Sequence, residues 1–128
     1  MPVIDESRIK AWVEAVAEGY GRRVGNVAYI FVDDEEILRV NRQFLQHDYY
    51  TDIITFDDSS DTRINGDLFI SLDTVRSNAK GLGVSYQQEL LRVIIHGILH
   101  LCGINDKGPG EREIMEAAEE RALRSIEE

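Results

Sequence analysis

The stretch SYQQELLRVIIHGILHLCG, residues 85–103, limits what this chain can become more than any other part of it. At 100° per residue, Leu90, Leu91, Ile94, Ile95, Ile98, Leu99 and Leu101 cover more than half of a helical wheel. That pattern predicts a helix buried on most sides. The rest of the wheel is one narrow polar stripe of Glu89, Arg92, His96 and His100. Ser85 followed by Gln88 has the spacing of a capping box at the start. Gly103 supplies the residue best able to end the helix in a left-handed conformation and fold the chain back.

His96 and His100 lie one turn apart on the same face. Two imidazoles so placed on a rigid helix are what a tetrahedral transition-metal site takes from a helix, with a third donor from elsewhere. Asp106, three residues beyond the reversal at Gly103, is placed to return toward them, so His96, His100 and Asp106 are read as a facial metal triad. The plain alternative is that two histidines share the edge of a core helix. Gly97 follows His96 where an H-E-x-x-H peptidase carries its general base, which disfavours peptidase chemistry.

The remaining segments predict an α+β domain over residues 1–128. It would be a small mixed sheet of three to four strands packed with about five helices around the buried central helix, with a zincin-like metal site. Ile9, Trp12, Val13 and Val16 repeat at helical spacing over residues 5–19, with Trp12 as a core anchor. Residues 27–32 read as a buried strand inside the sheet. Asp33 or Asp34 caps a second helix carrying Ile37, Val40, Asn41 and Phe44, and a loop over residues 46–50 holds His47.

Residues 52–56 and 67–72 read as antiparallel strands turned at Asn65-Gly66, and the helical connection from the first strand to the second suggests a parallel crossover. A short helix over residues 73–79 is capped by Asp73. After residues 107–110, a closing helix turns Ile114, Met115, Ala118, Ala122 and Ile126 inward and its glutamates to solvent.

With 43% apolar residues in 128, one core is expected. The single cysteine, Cys102, has no internal disulfide partner and is expected buried in a reducing compartment. Neither a leader of basic-then-apolar pattern nor an apolar run of membrane-spanning length stands out, so the expected location is the cytoplasm, away from membranes. The formal charge of −10 opposes binding to a nucleic-acid backbone. RNA binding then requires cations gathered near the site, or a partner that supplies the grip. Arg22 with Arg23, Arg39 with Arg42, and Arg76 with Lys80 are the visible clusters.

The segment HGILHLCG, residues 96–103, resembles the signature of the YbeY family, bacterial zinc-dependent endoribonucleases of ribosomal RNA maturation. The resemblance extends through Asn41, Asp48, residues 51–56 and residues 66–71, and covers most of the chain. It implies one zinc ion per chain and a single-strand-specific endoribonuclease acting late in ribosomal RNA maturation, at the 16S 3′ end, and in ribosome quality control. The implied partners are ribosomal RNA and the small subunit or its associated proteins.

Asp52, Asp67, His47 and Arg42 are the further cleft candidates, and no catalytic residue is assigned. Asp52, Glu89 and a metal-bound hydroxide are the candidates for general base, although Glu89, two turns before His96, is better placed to pair with Arg92. The chain departs from the family twice: Asp106 stands where a third histidine is usual, and Leu45 where a functional arginine is common. Two other readings stay open. One is a non-cutting ribosome-assembly or RNA-binding factor with a structural metal, and the other a metal-dependent hydrolase of a non-nucleic-acid substrate.

Overall fold

The elements form where local chemistry starts and stops them, and a computed structural model describes them for residues 5–45, 51–104 and 108–127. Asp5 accepts the N–H of Arg8 at 3.1 Å and opens α1 (Glu6–Gly19). Next come β1 (Arg23–Val32), α2 (Asp34–Leu45), β2 (Ile53–Asp57), β3 (Arg63–Ser71) and α3 (Leu72–Leu82). The central helix α4 (Tyr86–Leu101) and the closing helix α5 (Glu111–Glu127) complete the order. The capping box of Ser85 and Gln88 is present, and Gly103 follows α4 with φ of 98°.

The sheet is mixed, in the order β1-β3-β2. One of its faces packs on α4, joined by α1 and α5. Ile64, Leu68 and Ile70 of β3 meet Val93, Ile94, Ile95, Ile98 and Leu99 of α4, each 0–1% exposed. Burying each such aliphatic side chain is worth roughly 1.5–3 kcal/mol. Trp12 is the expected anchor, 5% exposed with its indole N–H donating to the carbonyl of Ala122 at 2.8 Å. On the other face Ile37 and Val40 of α2 cover Ile54, Phe56 and Phe69. Among the described residues, no helix is long and apolar enough to cross a membrane.

Several expectations are corrected. The strand at residues 27–32 lies at the edge of the sheet among the described residues, and β3 is central. This edge strand is not buried either: Ala28 is exposed and the other residues of 27–32 are half-buried, so a continuous apolar run reports neither burial nor rank in the sheet. Strand β1 runs parallel to β3, not to β2, whereas β2 is antiparallel to β3 as expected. Asn65-Gly66 is not the hairpin turn but lies within β3. The reversal falls earlier, where Asp57 Oδ1 accepts the N–H of Ser59 at 2.9 Å and the N–H of Ser60 donates to the carbonyl of Arg63 at 2.9 Å. Asn65 instead accepts the N–H of Asn26 at 2.8 Å, beside the irregularity between Val24 and Val27.

Helix α3 begins one residue earlier and ends three residues later than expected. Its cap is Ser71, and it ends at Gly83 with φ of 69°. Asp73 accepts the N–H of Asp34 at 3.1 Å and so ties α2 to α3. Val16 is only partly buried, Ala17 taking the inward place. Phe44 and Ile114 are exposed, at 58% and 60%. One glutamate of α5, Glu119, is buried at 6%, against the expectation of a wholly solvated acidic face.

Gly66 pairs with Asp57 across the β2–β3 ladder at φ of 156°. A Cβ built there would stand 2.2 Å from the carbonyl oxygen of Phe56, a backbone atom with no room to yield. Gly66→Ala should therefore cost about 2 kcal/mol or more, read as a lower urea midpoint in equilibrium unfolding.

Candidate metal centre

The site begins with the polar stripe of α4. Burial of the aliphatic positions fixes the helix about its own axis, so the stripe has one direction in which to face. His96 is 22% exposed in its side chain, and His100, one turn on, is also partly buried. The Nδ1 of His96 lies 2.6 Å from Oε2 of Glu119 on α5. With Nδ1–H donating to that carboxylate, the lone pair is left on Nε2, the arrangement in which metal-binding histidines are usually held.

Glu119 is held in turn. Its Oε1 accepts from Nη1 of Arg92 at 3.3 Å. Arg92 also donates through Nε to Oε1 of Glu89 at 2.7 Å and through Nη2 to Oε2 of Glu89. Its Nη2 lies 3.6 Å from Oδ2 of Asp52. One guanidinium thus gathers three carboxylates, and the expected Glu89–Arg92 pair is its tightest part. The hydrogen bond to Glu89, ahead of the opposing effect of burial, pushes the ionisation of Arg92 further up. Glu89 is 1% exposed and fully engaged, which removes it from contact with any substrate.

Asp52 is brought to this cluster. It lies just before β2, and its Oδ2 accepts from Nδ2 of Asn78 at 3.4 Å. Desolvation raises its pKa, opposed by the charges of Arg92 and His96 and reinforced by that of Glu89. The other candidates are placed differently. Asp67 is exposed on the face of β3 away from α4, among Asn26, Phe56, Asp57 and Asp58. Arg42 is exposed on α2, the helix covering that other face. His47 and Asp106 lie outside the described residues. Cys102 is buried, and burial pushes its thiol up, as expected of an inert core cysteine.

Between α4 and α5, a concavity of about 350 Å³ is lined by Arg92, His96, Arg112, Met115, Glu116 and Glu119. Two imidazoles one turn apart, one ring locked by a buried carboxylate, suit a borderline divalent ion such as zinc. Among the described residues no three candidate ligands cluster.

Glu119 is the site residue the sequence reading missed. Its position was legible: it falls between Met115, Ala118 and Ala122 on the inward stripe of α5, where a charged residue needs a partner.

Residues 2–127 match the model of the family described as Endoribonuclease YbeY. The chain is 68% identical over 126 residues to the protein named Endoribonuclease YbeY of Phocaeicola vulgatus, covering 98% of this chain and 91% of that one. It is 62% identical over 128 residues to the protein of the same name from Parabacteroides distasonis, covering 100% and 90%. Among solved structures it is similar to the solution structure of TM1509 from Thermotoga maritima. There the TM-score is 0.68 and the identity 28%, over 98% of this chain and 85% of that one.

The raised pKa of Asp52 gives a signed prediction. A carboxyl that holds its proton more tightly folded than unfolded costs stability as pH rises through the unfolded value, near 3.9, up to the folded one. The stability of Asp52→Asn relative to the parent should therefore increase from acid to neutral pH and level off. Urea unfolding across that range checks it, and a difference independent of pH would contradict it.

Proposed function

Because the chain belongs to the YbeY endoribonuclease family, we propose that it cleaves single-stranded RNA at a zinc site built on His96 and His100, with Asp106 as third ligand. RNA is the substrate class that membership gives. The finer target, ribosomal RNA near the 16S 3′ end in the cytoplasm, together with the small subunit as partner, is part of the proposal and rests on the family resemblance. The observation that carries the metal reading is the 2.6 Å contact of His96 with the buried Glu119.

What zinc supplies there when bound is Lewis acidity toward a phosphate oxygen. The protein's own groups do the rest. Glu119 keeps the proton on Nδ1 of His96 and the ring oriented, and Arg92 keeps Glu119 from rotating away. Asp52 is the better of the two side-chain candidates for the base. Its carboxylate is partly exposed and made more basic by desolvation, so Oδ2 is able to accept a proton.

The reading of a non-cutting assembly factor is favoured by Leu45 and by the acidic balance, and the same experiment separates it. Cleavage of single-stranded RNA should stop on chelation and return with zinc. It should fall on the order of 10³-fold in His96→Ala. RNA bound by the zinc-loaded protein without cleavage would favour the assembly factor. Cleavage surviving in an Asp106→Ala, His100→Ala double variant would point to a contaminating nuclease.

A second outcome concerns the carboxylate behind the ring. Glu119→Gln should weaken zinc affinity about 10- to 100-fold, measured by competition with a chromophoric chelator. Unchanged affinity in a folded variant would sever the link between Glu119 and metal binding.

A further inference from the structure

The concavity at His96 carries two arginines, and their commitments differ. Arg92 is bound to Glu89 and Glu119 and lies against Asp52. Moving it toward a substrate would strand Glu89, which is 1% exposed. Arg112, in the first turns of α5, has a side chain 79% exposed, and its partner Glu116, at 3.1 Å, is 62% exposed. An exposed pair of this kind adds little to stability, so exchanging the glutamate for another anion costs little. A phosphodiester accepts two parallel hydrogen bonds from a guanidinium, which an ammonium cannot supply.

The chain also needs such a group. Its formal charge is −10, which opposes binding to an RNA backbone unless a cation is placed at the site. Building on the RNA reading above, we propose that Arg112 grips a phosphate of the RNA strand lying in the concavity at His96, and that Glu116 holds its place in the RNA-free protein. Strand entry replaces one carboxylate on Arg112 by one phosphodiester. Glu116 is released to solvent, and no bond is made or broken.

Binding of the zinc-loaded protein to a labelled, 2′-O-methylated single-stranded RNA, followed by fluorescence anisotropy across a salt series, tests this. Arg112→Ala should weaken binding about fivefold at 0.1 M salt and reduce the slope of log K against log salt by about 0.7. Arg112→Lys should restore the slope without the full affinity. Glu116→Gln should tighten binding, since the competitor for Arg112 is gone. A merely structural pair would respond alike to loss of either member, so opposite signs are the diagnostic.

The control is Arg124 with Glu120 on the same helix, a comparable exposed pair at 3.6 Å, about 18 Å along the axis from Arg112 at Arg124. Arg124→Ala and Glu120→Gln matching the shifts at Arg112 and Glu116 would reduce the effect to net charge and overturn the proposal. Parent protein that binds RNA, with Arg112→Ala binding equally well and with equal slope, would overturn it while leaving the nuclease reading intact. Parent protein that binds no RNA would remove both.

Discussion

The guanidinium of Arg92 is the point on which stability and site geometry both depend. A carboxylate as buried as Glu89, 1% exposed, costs several kcal/mol unless its charge is met within the protein. Arg92 meets it, and having been drawn to the inner edge of α4 it reaches Glu119 on α5 and lies against Asp52 before β2. Three elements distant in sequence are thereby held to one planar cation. The same contact that makes Glu119 tolerable in the core fixes the oxygen that holds His96. The cluster carries three carboxylates against one guanidinium, a surplus of negative charge behind the ring of His96. Such a surplus favours a divalent cation in front of that ring and disfavours an anion reaching His96 without help.

How much of this was legible in the sequence follows from what each signal measures. Helical periodicity reports burial angle by angle, and it placed α4, its polar stripe and the Glu89–Arg92 pair correctly. Capping chemistry is local, and the start of α4 at Ser85 followed from it. Strand order is not local. Residues 27–32 are apolar throughout, yet none of them is buried in β1, and nothing in that run says that β3 is the central strand. Asn65-Gly66 misled for a related reason. Its dipeptide chemistry suits a turn, but residues 57–63 close the hairpin first, leaving Asn65 to satisfy Asn26 on the neighbouring strand. Glu119 was missed because α5 is rich in glutamate and composition hid the one residue on the apolar stripe.

The glycine after His96 shows how packing and chemistry constrain one another here. In the H-E-x-x-H arrangement the base occupies the position of Gly97. A Cβ placed at Gly97 would already lie 2.8 Å from Cδ1 of Ile53 and 3.1 Å from both methyls of Leu68. The position is a contact point between α4 and the sheet, 100° around the helix from His96 and turned into the core. A glutamate there would have to displace the β2–β3 hairpin and bury an unpaired charge between Ile53 and Leu68. The close approach that makes α4 the centre of the fold thus removes the peptidase's base from this helix. Asp52 stands outside α4, on the segment entering β2, partly exposed, with its carboxyl made more basic by the same desolvation that the packing imposes.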